Sequence, residues 1–315
     1  MKKTLIAAAV LATAGSAAFA QSSVTIYGRL NLTVERQKLL GDNNWVMQNS
    51  SSRIGFKGAE DLGGGLKAGF QIEHGFNPAT GRQSQTAFWA RQSEVNLGGG
   101  FGMVRLGNFT SEAYYATSDY IGMHNHETGT SADAFYAYIG RNTSKVAYRT
   151  PNFGGATVEV AVTEKGANPD RTVDLAANYD AGPLHLGFGY EKNGDAKQFA
   201  GRVLYELGAF TIGAIAQRDT DGWGAGFGNR NNFRVSGMYV IGNTELHANV
   251  GRTGSYSKIG PDSATQYTLG VNYNLSKRTK VYGFLTKLNG NGADFYAVNS
   301  TGVNQSFALG VRHNF

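Results

Sequence analysis

The stretch Ser306–Phe315, SFALGVRHNF, ends the chain. Phe307, Leu309, Val311, His313 and Phe315 share one parity, and Ala308, Gly310 and Arg312 take most of the other. Period two marks a strand whose two faces meet different surroundings. A terminal strand with an aromatic last residue and no tail is expected to be paired, not left as an open edge.

The same alternation begins the region after the N-terminal leader. In SSVTIYGRLNLTVE, residues 22–35, Val24, Ile26, Gly28, Leu30, Leu32 and Val34 oppose Thr25, Tyr27, Arg29, Asn31, Thr33 and Glu35. It recurs in RIGFKGAE, GLKAGFQIEHG, Thr86–Gly98, Phe101–Asn108 and on to the end, which predicts sixteen strands. Tight connectors such as DLGGG, GGG, YDAG and SKRT alternate with longer ones. Arg36–Val46, Gly75–Gln85 and Lys192–Lys197 are expected among the long ones, and Phe109–Thr143 is the longest. In an up-and-down meander this puts every short turn on one rim and every long loop on the other, the layout of an outer-membrane barrel.

A soluble sandwich also alternates, but it would have to pack a second sheet on the polar face. That face carries Lys57, Lys67, Glu73, Arg105, Lys145, Arg149, Glu159, Arg234 and Glu245, and burying so many charges is prohibitive. A water-filled lumen accommodates them, while the Leu, Ile, Val, Phe and Tyr face suits lipid. The last strand then pairs with the first, since an open edge in lipid leaves backbone groups unsatisfied. Phe315 falls where an interfacial aromatic belongs.

Met1-Lys2-Lys3, the apolar run Leu5–Ala14 and Ala18-Phe19-Ala20 have the three parts of a cleaved export signal, residues 1–20, leaving a barrel of residues 21–315. Loss of Lys2 and Lys3 brings the formal charge from +6 to +4, a mild excess without the clustering of a nucleic-acid binder. There is no cysteine, hence no disulfide or thiolate-metal framework. Glycine is abundant, at 44 residues against 5 prolines, which with 16 Tyr and 18 Phe favours short turns between strands over disorder.

Read together, SSVTIYGRLN, SRIGFKGAEDLGGGLKAGFQIE, RQSEVNLGGGFGMVRLGN, VAYRTPNFGG, YNLSKRT and GVRHNF resemble the Gram-negative general porins, most closely those of β-proteobacteria, in that family's order. The resemblance implies an all-β, 16-stranded antiparallel transmembrane barrel and a homotrimer, with the third long loop, Phe109–Thr143, folded into the lumen. It also implies contact with outer-membrane lipid and lipopolysaccharide, passage of small solutes, and delivery by the outer-membrane assembly machinery. Phe315 resembles the terminal signal which that machinery reads. Two departures stand out: Asn108-Phe109 replaces the family's common Arg-Gln, and the enterobacterial Pro-Glu-Phe-Gly phrase is absent.

Selectivity in such a neck is electrostatic, set by fixed rings of cations or carboxylates. The resemblance assigns Arg53, Arg91 and Arg149 to a basic cluster on the wall, with Arg29 as a further lumenal position. Strand parity independently turns Arg29, Arg53, Arg105, Lys145 and Arg149 to the polar face. For Arg91 parity disagrees, grouping it with outward Val95 and Leu97; following the family turns it inward and Gln92 and Glu94 outward. Glu112 and Asp119 are the expected acids of the constriction loop, approaching the arginines across the neck. His124 and His126 lack a third anchored ligand, so no metal and no cofactor is expected. No hydrolase or nucleotide-binding motif stands out. The sequence favours a passive channel with an anion bias over a substrate-specific anion channel, and either over a barrel enzyme.

Overall fold

The structure is a computed structural model that describes residues 23–119, 129–166 and 170–315. The expected leader, residues 1–20, lies outside the described residues, as do His124 and His126. The barrel has sixteen strands. These are β1 (Ser23–Leu39), β2 (Asp42–Asn49, continuing as Arg53–Gly63), β3 (Leu66–Asn77), β4 (Gln92–Gly99), β5 (Gly102–Asn108), β6 (Lys145–Arg149), β7 (Ala156–Thr163) and β8 (Thr172–Ala181). The second half comprises β9 (Leu184–Asn193), β10 (Ala196–Leu207), β11 (Phe210–Thr220), β12 (Asn229–Ile241), β13 (Thr244–Thr253), β14 (Ala264–Asn274), β15 (Thr279–Asn289) and β16 (Gln305–Asn314). Each strand pairs antiparallel with its chain neighbours, and β16 pairs with β1 from Arg29↔Asn314 to Lys38↔Gln305. The short turns are periplasmic and the long loops extracellular.

The two faces separate as alternation requires. Val34, Val95, Val160, Phe188, Val203, Phe233, Leu269 and Leu309 are exposed on the outside. So many exposed apolar side chains fit a hydrocarbon solvent and not water. The inward set includes buried Asn31, Thr33, Glu35, Gln198, Gln217, Asn232, Arg234 and Thr268.

Three details depart from the sequence reading. Arg36–Val46 and Lys192–Lys197 were expected to be loops but are strand almost to their tips, with Leu40-Gly41 and Gly194-Asp195 as the turns. There both faces of the sheet are polar, so the alternation that marks a strand in lipid fades. Conversely, β4 starts at Gln92, and Thr86–Arg91 is irregular chain. Third, β2 carries a bulge. Leu32 pairs with Asn49 and Arg29 with Arg53, so Ser50, Ser51 and Ser52 face only Leu30 and Asn31. Ser51 has φ +57°, and Asn31 ties the kink by donating its N–H to Ser52 Oγ (2.9 Å) and its amide to the Ser50 carbonyl (3.1 Å). One extra residue reverses the parity of everything after it, which turns Arg53 inward beside Arg29.

The seam closes at Phe315. Gly28 N–H donates to the Phe315 carbonyl (3.0 Å) and Phe315 N–H to the Gly28 carbonyl (3.1 Å). A Cβ at Gly28 would lie 2.3 Å from the Phe315 ring and 2.6 Å from the Arg53 carbonyl. Deleting Phe315, or replacing Gly28→Val, should therefore sharply lower the yield of folded barrel on unheated denaturing gels. Normal yield from both variants would show that the seam does not govern folding.

Candidate functional site: the lumen and its neck

The chain leaving β5 turns into the barrel at once. Phe109 is buried, its ring 4.1 Å from the Arg105 guanidinium and 4.9 Å from Lys145 Nζ. Ser111 caps the short helix α1 (Glu112–Tyr114) by accepting from Ala113 N–H (3.1 Å), and the chain continues as a wider helical turn, Tyr115–Asp119. This root lies directly on β9. A Cβ at Gly187 would fall 1.9 Å from the Ala116 carbonyl oxygen, and one at Gly189 2.7 Å from that of Ala113. The two inward glycines of GFGY are the seat on which the loop rests.

The returning limb is held by side-chain amides acting as a substitute strand. Gln266 receives the Ala134 N–H (3.0 Å) and donates to the Ala132 carbonyl (2.9 Å). Gln217 does the same for Ala137, at 2.9 and 3.1 Å. Asn232 (2.9 Å) and Arg230 both donate to the Phe135 carbonyl, and Arg234 pairs with Asp133 at 2.8 Å. Beyond it, Thr130 donates to Glu35 on β1 (2.8 Å). The loop is thus inside the barrel, as expected from the resemblance. Its aromatics divide: Phe109, Phe135 and Tyr136 are buried, whereas Tyr115 and Tyr138 remain exposed. Asp119 ends the described turn, and its side chain lies outside the described residues.

The expected basic residues fall into two groups. Under the loop root, Arg105 pairs with Glu94 (2.7 Å) and Glu159 (3.2 Å), Arg149 with Glu159 (2.8 Å) and Glu112, and Lys145 with Asp174 (3.6 Å). Glu191 is fully buried beside this network. Three cations therefore meet five carboxylates. Arg105 and Lys145, expected on the open neck, are buried beneath the loop, because the root of the loop covers the wall at β5–β8. Glu112 does not face arginines across a gap; it touches Arg149. Burial pushes the Glu112 carboxyl up, against the pull of the Arg149 guanidinium. Arg149 stays partly exposed and shares a recess on the periplasmic side with Lys57 and Lys67.

The second group lines the wall at β15, β16 and β1–β3. Arg29 stands opposite Arg53, and Arg312 opposite Lys280; Arg312 is also opposite Asn31, one inward position from Arg29. Arg91 reaches Glu73 at 2.5 Å, and Arg53 lies 3.7 Å from the same carboxylate. Lys280 pairs with Glu245 at 3.1 Å. Among the described residues, the carboxylates in ion pairs with this group of five cations are Glu73 and Glu245. Arg91 does point inward, yet Glu94 does too, contrary to expectation. Arg91 precedes the first residue of β4, so the alternation of that strand does not bind it. Arg312 and Lys280 escaped the sequence reading, although the inward parity of both was visible in GVRHNF and TKVYG.

The two groups should respond differently to truncation. Arg105→Ala leaves Glu94 buried without its cation and Glu159 with Arg149 alone, and should cost roughly 3–5 kcal/mol. Arg29→Ala, on the open wall, should cost about 1 kcal/mol or less. Thermal unfolding of folded barrels checks this; equal losses would place both arginines in one environment.

Residues 7–293 match the family model described as Gram-negative porin. Outer membrane porin protein 32 of Delftia acidovorans is 32% identical over 361 aligned residues, covering 100% of both chains. An outer membrane porin protein of Bordetella pertussis is 27% identical, again over 100% of both. Among solved structures, an anion-selective porin from Comamonas acidovorans superposes with a TM-score of 0.77 at 25% identity, over 94% of this chain and 100% of that one. A Salmonella typhi OmpF shares the fold, with a TM-score of 0.74 and 16% identity over 93% of this chain and 97% of that one. A closed barrel with a polar lumen, an inward third loop and these relatives agree: the chain belongs to the Gram-negative porin family and forms a water-filled diffusion channel in the outer membrane.

Proposed function

We propose that the channel prefers anions and that the preference resides in the wall formed by Arg29, Arg53, Arg91, Arg312 and Lys280. The observation that carries this is the register: two like-charged pairs, Arg29↔Arg53 and Lys280↔Arg312, stand on one inward patch, where Glu73 and Glu245 are the carboxylates paired with this patch among the described residues. Cations fixed in a confined aqueous neck between low-dielectric walls raise the local potential by several kT. Arginine holds its charge under this crowding, whereas lysine yields its proton more readily. The anion selectivity named for the Comamonas porin supports the same reading. Arg149, with Lys57 and Lys67, extends the positive surface towards the periplasm.

Further assignments accompany this reading. Residues 1–20 are a leader removed on export. The assembled form is a homotrimer, in keeping with the outward rim of β2–β7, whose strand positions carry no lysine or arginine at the extracellular end. Phe315 serves as the assembly signal, and the surrounding surface meets outer-membrane lipid and lipopolysaccharide. The channel has no catalytic role.

Replacing Arg29, Arg53 and Arg312 together by Ser should move the zero-current potential in asymmetric KCl towards cation preference, with little change in conductance to neutral solutes. An unchanged potential would assign selectivity to the mouths or loops. Deleting residues 118–131 should raise single-channel conductance and admit larger sugars, since no strand is touched. Unaltered conductance and size limit in folded channels would remove the loop from the narrowest section.

A further inference from the structure

Arg230 is an inward cation that belongs to neither charged group. It stands second in β12, at the extracellular end, and its side chain is fully buried. The guanidinium donates Nε to Asp219 Oδ2 (2.7 Å), Nη1 to Thr253 Oγ1 (2.9 Å) and to the Tyr296 hydroxyl (2.7 Å), and Nη2 to the Phe135 carbonyl. The rings of Trp223, Tyr256 and Tyr296 surround it at 5.9, 5.2 and 5.3 Å. A guanidinium is a flat, rigid fork, so directed bonds from one such group fix its partners relative to one another.

Those partners lie on separate loops. Phe135 is on the returning limb of the third loop. Trp223 lies in the β11–β12 connector and Tyr256 in the β13–β14 connector, while Tyr296 ends the short helix α2 (Ala293–Tyr296) of the β15–β16 connector. Helix α2 also rests on the limb directly. Ala134 and Phe135 share a buried cluster with Ala293, Tyr296 and Ala297, and the Phe135 and Tyr296 rings meet edge to face at 5.0 Å. A Cβ at Gly222 would lie 2.7 Å from that of Ala137, so the β11–β12 connector abuts the limb as well. Gln217, Asn232 and Gln266 tie the limb to strands, which the closed sheet holds still. Arg230 ties it to loops, which move more readily. Past α2 the β15–β16 connector reaches the cell surface, where Val298, Asn299 and Ser300 are exposed.

We propose that Arg230 is a positioning residue for the aperture: it couples the β15–β16 connector at the cell surface to the returning limb of the third loop, so that a load on that connector alters the width of the neck. The coupling runs from Ser300 through α2 and the Tyr296 hydroxyl to the guanidinium, and from there to the Phe135 carbonyl. Arg230 touches no passing solute and acts through the limb alone. The inference goes beyond ion preference and rests on the third loop bordering the neck.

The test records single full-length channels in planar bilayers at about 1 M KCl, where a Debye length of about 3 Å suppresses charge effects and leaves the aperture. Tyr296→Phe removes only the hydroxyl that Arg230 reaches, and Arg230→Lys keeps a charge for Asp219 while losing the fork. Each should raise the fraction of time spent at wider conductance levels on the order of tenfold, the equivalent of one hydrogen bond to a charged group. The double variant should do no more than Arg230→Lys alone, since the hydroxyl acts through the guanidinium. The chain has no cysteine, so Ser300→Cys offers a single labelling position on the exposed connector. Biotin attached there and loaded with streptavidin from the outer side should shift the open-channel noise in the otherwise wild-type channel and leave it unchanged when Arg230→Lys is present. Additive effects of the two substitutions, or the same response to streptavidin in both backgrounds, would overturn the proposal. Tyr296→Phe, compared with the wild type under the same streptavidin load, decides the matter if Arg230→Lys folds poorly. A third loop that does not border the neck is told apart by deletion of residues 118–131, which would then leave conductance unaltered.

Discussion

Every backbone N–H and C=O in the hydrocarbon layer must find a partner within the chain, and the rest of the structure follows from that requirement. It forces the sheet to close, and closure makes β1 and β16 neighbours although they lie at opposite ends of the sequence. It also forces period two, because a closed sheet has one face in lipid and one in water. The seam is where the two demands meet: Gly28 leaves room for the Phe315 ring while exchanging both backbone hydrogen bonds with it.

Within that frame the charges have two different roles. Under the root of the third loop, Arg105, Arg149 and Lys145 are matched by Glu94, Glu112, Glu159 and Asp174, and Glu191 lies buried beside them. Removing charges from water is costly, and only close pairing offsets it. These groups therefore fasten the root of the loop. On the wall at β15, β16 and β1–β3 the excess among the described residues is positive and faces water. An ion in transit is sorted by the second set, while the first set defines where it can go.

Much of this was legible in the sequence, and the failures share physical causes. Alternation placed Arg29, Arg53, Arg105, Lys145 and Arg149 on the inner face correctly, because a face in lipid tolerates no charge. It could not tell which of them the loop would cover, since the seat at Gly187 and Gly189 is a contact between distant segments. The bulge at Ser50–Ser52 was invisible because serine is at home on either face, and only the register reveals that it re-aims Arg53. Arg91 misled because the alternation was extended into chain that is not strand. The extracellular strand ends were missed because beyond the hydrocarbon layer both faces are polar.

The amide ladder that holds the returning limb of the loop separates two properties of the channel. Gln217, Asn232 and Gln266 grip backbone groups with neutral hydrogen bonds at buried positions, where mobile ions do not penetrate. The arginines of the open wall act through water, over a Debye length of about 8 Å at physiological ionic strength and about 3 Å at 1 M. Rising ionic strength thus dissolves the preference between anions and cations while leaving the aperture as it was. In concentrated brine the channel remains a sieve of the same mesh and ceases to be a filter of charge.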